Sequence, residues 1–220
     1  GAVNATATLA ACIPAGLVIL WRRQGWLLIP AAVAVSAWWI GPLLVLGKYS
    51  PPFTDFIESS YVTTRWLNLL EILRGTTHWT PFADTEREAG YLLVSHPVFV
   101  LVTVAIAACG LAGLALSAQG AQGSTPGTRL RYHGLWLVML LVGIAILAAP
   151  YGQLLDDALA PLRNLHKFDP LVRIPLLLGV AHLGAVLEVP RLRHPLTRRA
   201  AAGLGVAVIA LLSVAPVWSG

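Results

Sequence analysis

Charge is what this sequence has least of. Only 11% of its 220 residues are Asp, Glu, Lys or Arg, while 57% are hydrophobic; an average globular chain carries about 25% charged residues. Too few ionic groups remain to cover a water-facing surface, which excludes an ordinary soluble domain and points to a chain surrounded largely by lipid. Cysteine is scarce too. Cys12 and Cys109 both fall inside apolar runs, where they read as small packing residues. There is no CxxC, no HExxH and no paired Cys/His spacing, so no metal site is expected. Neither a P-loop nor a GxGxxG run is present, and no nucleotide or other cofactor is expected. The net charge of +5 and the pI near 9.7 do not indicate nucleic acid, because the arginines lie between apolar runs rather than in one patch with interleaved aromatics. No basic residues precede the first apolar run and residue 1 is Gly, so no signal peptide is read, and the chain is expected to be an internal piece of something longer.

What the sequence has in quantity is apolar length. A spanning helix needs about 20 mainly apolar residues, and six stretches qualify: about 2–21, 26–47, 97–118, 134–151, 171–190 and 200–217. The fifth is interrupted by Pro175, His182 and Glu188, as in helices shielded by protein or lining a cavity. The expected fold is all-α, a polytopic transmembrane bundle of about six spans forming a single domain over 1–220. Its connections alternate in charge. Arg22 and Arg23 occupy the first, Arg129 and Arg131 the third, and Arg191, Arg193, Arg198 and Arg199 the fifth, with no acidic residue among them. Basic short loops mark the cytoplasmic side. The outer loops are then 48–96, where four basic residues meet six acidic ones, and 152–170, near which Asp156, Asp157 and Asp169 balance Arg163, Lys167 and Arg173. Both chain ends would lie outside.

The outer loops hold the polar chemistry. TDFIESSYVTTRWLNLLEILRG places Phe56, Ile57, Tyr61, Trp66, Leu69, Leu70 and Leu73 at helical steps. This predicts an amphipathic juxtamembrane helix, lying in the interface or packing on the bundle as a lid. KYSPPF forces an extended turn that delivers Asp55 and Glu58 just outside the second span. One could be a base; an N-cap and a solvated face are the plainer readings. In RGTTHWTPF, Gly75 ends the helix, and Thr76, Thr77, His78 and Trp79 form a polar-aromatic turn suited either to a sugar ring or to interfacial anchoring. NLHKFDPLVRIP gathers His166, Lys167, Asp169 and Arg173 at the mouth of a span, with Asp169 as the expected N-cap and Pro170 as the first helical residue. Cations beside a helix N-terminus suit an anion such as phosphate, whether a lipid headgroup or a substrate.

At GKYSPPFTDFIESS, LRGTTHW and NLHKFDPLVRIPLLLGVAHL the chain resembles the membrane part of actinobacterial α-(1→3)-arabinofuranosyltransferases, the arabinofuranosyltransferase D family. The likeness runs through most of the chain, and its specific part is chiefly 47–60, 73–79 and 164–183. It implies a GT-C type membrane glycosyltransferase of the plasma membrane with its active side facing the periplasm and cell wall. Such an enzyme takes arabinofuranose from decaprenyl-phosphoryl arabinose and adds it to the arabinan of arabinogalactan and lipoarabinomannan. In that class the catalytic base is an Asp just after the first span, which would lie upstream of residue 1. Carried onto this sequence, the resemblance makes His166, Lys167 and Arg173 candidates for the donor phosphate, and His78 and Trp79 candidates for the sugar. Asp55 is the fallback base. The family also implies an acyl carrier protein on the cytoplasmic face, where Arg191, Arg193, Arg198 and Arg199 would receive it. The alternatives are a polyprenyl-phosphate or sugar transporter or flippase, which would use the same cationic mouth, and a non-catalytic membrane anchor.

Overall fold

The computed structural model describes residues 5–23, 25–49, 59–83, 86, 88–119, 130–148, 152, 162–186 and 195–215. Among them every regular element is helical. The apolar runs form the long helices: α1 (Ala5–Trp21) and α2 (Gly25–Tyr49). A series of short helices follows in the long loop: α3 (Ser60–Thr64), α4 (Leu69–Arg74), α5 (Thr80–Ala83) and α6 (Glu88–Ser95). Then come α7 (Pro97–Gln119), α8 (His133–Ala148), a 3₁₀ turn (Leu165–Phe168), α9 (Pro170–Val186) and α10 (Pro195–Ser213). Two stretches, Pro97–Ser117 and Leu165–Val186, are long and apolar enough to cross a membrane; the apolar parts of α1, α2, α8 and α10 are shorter. The first five residues of the second stretch are LHKFD, the polar turn that stands outside Pro170. The apolar surface points outward: Leu101, Leu141, Leu177, Leu204 and Leu211 are each more than 60% exposed. In water such surface would drive association, whereas a lipid surround accepts it.

α9 is the centre of the bundle, packed on α7 and α8, with α10 against α7 and α9. Small residues allow the closest crossing. A Cβ on Gly113 would collide with the carbonyl of Gly179, and a Cβ on Gly179 with the carbonyl of Gly110. On the other face of α9, Gly143 of α8 admits Leu171 and Val172; a Cβ there would come within 2.8 Å of both side chains. Without a hydrophobic force between helices in lipid, backbone approach of this kind supplies the packing. Leu171 and Val172 are fully buried and join Met139, Leu147, Leu165 and Phe168 in the core.

The connections sort by end. Arg22 donates to the Tyr132 hydroxyl at 3.2 Å, and Trp21 lies against Gly134, so the first and third connections share one end. At the other end the Ser60 hydroxyl donates to the carbonyl of Gly152 at 2.8 Å, and Thr63 to the carbonyl of Arg163 at 3.3 Å. The two segments expected to be outer loops therefore meet.

The long amphipathic helix is different from its expectation. Residues 54–58 lie outside the described residues, and the rest forms two short helices rather than one. Thr63 and Thr64 turn their hydroxyls back onto the carbonyl of Ser60, at 3.1 and 2.6 Å, which competes with helix propagation. Asn68 then adopts an extended conformation and accepts from the amide of Glu71 at 3.1 Å, starting α4 afresh. Trp66, expected as an interfacial anchor, stacks on Phe82 with ring centroids 5.1 Å apart.

Candidate functional site

α4 ends where glycine permits it. Gly75 has φ of 86°, and its amide and that of Thr76 both reach the carbonyl of Glu71 at 3.0 Å, a left-handed cap that residues with a Cβ rarely adopt. Arg74 fixes the helix laterally. Its side chain, 2% exposed, pairs with Glu71 at 2.7 Å and donates to the Thr103 hydroxyl at 2.9 Å and the Leu93 carbonyl at 2.8 Å. The Thr76 hydroxyl donates to the Glu71 carboxylate. A half-buried carboxylate and a buried guanidinium are thus neutralised and hydrogen-bonded together, as burial of the cation requires.

From this base the chain turns across the head of α9. The Thr77 hydroxyl donates to the Asp169 carboxylate at 3.4 Å. His78 follows, its Nδ1 accepting the amide of Thr80 at 3.1 Å, so a neutral ring carries its proton on Nε2. Trp79 stacks on His78 with centroids 6.0 Å apart. On the far side the His78 ring meets His166 of the 3₁₀ turn, with centroids 4.2 Å apart and planes tilted by 59°. The structure thus joins two sequence candidates from separate loops, His78 and His166, with Trp79 and Lys167 beside them.

His166 is held neutral. Burial first, then the neighbouring His78 and Lys167 charges, bring its pKa down to about 4. Its Nδ1 is enclosed and has no hydrogen-bond partner among the described residues. A proton there would be a buried unmatched donor, so the neutral ring carries it on Nε2.

Asp169 departs from its expected N-cap role, and Arg173 is engaged by protein groups. Pro170 does open α9, but Asp169 has helical backbone angles continuing out of the 3₁₀ turn. Its carboxylate turns to Arg173, at 3.1 Å, and to Thr77 rather than capping amides. Burial pushes this carboxyl up, against the pull of Arg173 and Thr77. The Arg173 guanidinium donates from Nη1 to the Leu73 carbonyl at 2.7 Å and from Nη2 to the Ile72 carbonyl. All three of its nitrogens therefore engage protein acceptors. The two carbonyl contacts were not legible in the local sequence, since Ile72 and Leu73 lie about a hundred residues away.

Below this mouth a cavity of about 160 Å³ opens between α7 and α9, with Ile106, Ala107, Leu176, Leu177 and Val180 as apolar walls and Arg74 and Arg173 at its polar rim. Both arginines have carboxylate partners, so the rim is close to neutral. Among the described residues no three His, Cys, Asp or Glu side chains gather as a metal site. Asp55 and Glu58 lie outside the described residues, as do Arg191 and Arg193. Arg198 and Arg199 fall on α10 with only their backbone described.

The chain matches the family described as alpha-(1->3)-arabinofuranosyltransferase, N-terminal GT-C domain, over residues 1–220. It is similar to two curated proteins named alpha-(1->3)-arabinofuranosyltransferase. One, from Mycolicibacterium smegmatis, is 43% identical over 210 aligned positions, covering 86% of this chain and 14% of the relative. The other, from Mycobacterium tuberculosis, is 40% identical over 251 aligned positions, covering all of this chain and 17% of the relative. The chain spans less than a fifth of the length of these relatives. No solved structure matches.

Proposed function

We propose, on the premise that the chain belongs to the N-terminal GT-C domain family of α-(1→3)-arabinofuranosyltransferases, that it helps to transfer arabinofuranose from decaprenyl-phosphoryl arabinose to cell-wall arabinan. The observation that carries this reading is the meeting of His78 and Trp79 with His166 and Lys167 at one end of an apolar bundle. A lipid-linked donor needs an apolar path for its chain, polar groups at the headgroup and an aromatic face for its sugar, in that order. The α7–α9 cavity, the 165–168 turn and the His78–Trp79 pair are the candidates for these three roles.

As the glycosidic bond breaks, negative charge develops on the departing polyprenyl phosphate. Lys167 provides a compensating cation, and the Nε2–H of neutral His166 provides a directional donor. Trp79 offers its ring to the sugar, while the His78 Nε2–H donates to a hydroxyl. The acceptor hydroxyl needs a base within about 3 Å. Asp55 is the candidate in this chain.

The proposed setting is the plasma membrane, crossed about six times, with this mouth facing the periplasm and cell wall. The meeting of the first and third connections at one end, and of the second and fourth at the other, supports that topology. The basic connection carrying Arg191, Arg193, Arg198 and Arg199 would face the cytoplasm, where an acidic acyl carrier protein could dock.

The test is transfer of labelled arabinose from decaprenyl-phosphoryl arabinose to an arabinan acceptor by the intact protein, with Lys167→Ala beside the wild type. Loss of one charge-assisted contact should raise the donor KM roughly tenfold. Wild-type kinetics in a correctly inserted Lys167→Ala variant would remove Lys167 from the donor site.

A further inference from the structure

The arrangement around Arg173 carries an inference that rests on this reading of the mouth and deepens it. We infer that Arg173 is a positioning residue, whose guanidinium latches residues 72–77 to the head of α9 and thereby sets His78 against His166. The last carbonyls of a helix have no partner within it. In α4 two of them, those of Ile72 and Leu73, are taken by Nη2 and Nη1 of Arg173. The cation also stands at the negative end of the helix, where its charge is favourable.

The third corner of the latch is Asp169. It accepts from Nε of Arg173 and from the hydroxyl of Thr77, so one carboxylate ties the arginine to the segment that the arginine holds. Gly75 lies flat against the same guanidinium; a Cβ built there would stand 3.2 Å from Nη1. The residues held are 72, 73, 75 and 77, and the next two are His78 and Trp79. Arg173 thus acts on the mouth from beneath, through the backbone that carries the aromatic pair.

Its charge is already matched by Asp169 and its nitrogens by protein acceptors, whereas the ammonium of Lys167 forms no ion pair among the described residues. The two cations therefore divide the work: Lys167 meets the ligand, and Arg173 builds the place where it is met. Lysine cannot replace arginine in the latch. A single ammonium does not present the planar fork that reaches two carbonyls and a carboxylate together.

The experiment uses the intact protein in lipid nanodiscs with two variants, Arg173→Lys and Gly75→Ala. The second keeps every charge but places a methyl group against the guanidinium at a left-handed position, so it opens the latch from the opposite side. Hydrogen exchange of peptides covering 69–83 should rise roughly tenfold in both variants, with α7 and α8 unchanged. In the transfer assay kcat should fall about tenfold to a hundredfold, as expected for displaced positioning groups, while the donor KM stays within about threefold.

Unchanged exchange with a raised donor KM in Arg173→Lys would overturn the inference and make Arg173 a phosphate ligand. A uniform rise across α7 and α8 in both variants would also overturn it, reducing Arg173 to general packing. Should Arg173→Lys fail to insert, Gly75→Ala decides by the same two readouts. If the wild type transfers no arabinose, the proposed function falls, yet local exchange in the two variants still decides the latch.

Discussion

The imidazole rings of His78 and His166, carried by two different loops, meet with centroids 4.2 Å apart. Neither loop alone makes a site. Together they bring an aromatic pair and a lysine to the head of α9, and Arg173, one helical turn on, lines the apolar cavity between α7 and α9.

Protonation should loosen this contact. An unfolded histidine takes its proton near 6.5, while His166 in the folded protein resists it down to about 4. As pH falls, the unfolded chain binds the proton first. The stability linked to neutral His166 is therefore complete above about pH 6.5 and is lost progressively toward about pH 4. Thermal midpoints of the protein in detergent, followed through that window, should decline, and His166→Gln should flatten the decline. An equal slope in the variant would assign it to other groups.

The glycine crossing between α7 and α9 should tolerate no side chain. In Gly179→Ala the new Cβ meets the backbone carbonyl of Gly110, which cannot rotate away as a side chain can. The helices must separate, at a cost of about 1–3 kcal/mol or more. Gly41→Ala, with nothing within 4 Å of its Cβ, serves as the matched control. Thermal midpoints should fall in the first variant alone, and equal values in the two would show that the crossing is looser than described.

Arg74 and Glu71 should behave as a unit. Arg74→Ala leaves a half-buried carboxylate without its cation, at a cost of about 1–3 kcal/mol. Adding Glu71→Ala removes the orphaned charge, so the double variant should be more stable than the sum of the single losses implies. Strict additivity in denaturation midpoints would mean that the pair is not energetically coupled.

Trp79 should matter for the sugar rather than for the fold. It is only partly buried at the rim of the mouth. Trp79→Ala is expected to raise the KM for a sugar substrate about tenfold, the scale of one aromatic contact, with Trp79→Phe retaining most of the affinity. Equal kinetics for wild type and Trp79→Ala would leave the tryptophan as a membrane-interface anchor.

Much of the architecture was legible in the residues. Low charge and long apolar runs predicted helices, and helices stand on each run, because an apolar segment in lipid must satisfy its backbone internally. Local punctuation was legible too: Gly75 ends α4 and Pro170 opens α9, each by constraining its own backbone. The apolar spacing through 54–75 misled, since helical periodicity does not register a threonine pair folding back on Ser60 or an asparagine restarting the helix. His78 and His166 were separately visible as polar residues in outer loops, but their meeting was not.

The sequence by itself determined that this is an all-helical, lipid-facing chain with its polar chemistry confined to a few connections, because composition and periodicity act residue by residue along the chain. Only the tertiary structure decided which polar groups of those connections pair with one another. Arg173 and Lys167 look equivalent as cations near one helix start, and their difference lies in partners that folding supplies. The carbonyls of Ile72 and Leu73 occupy the guanidinium of the first, and no local pattern encodes a hydrogen bond to a carbonyl a hundred residues away.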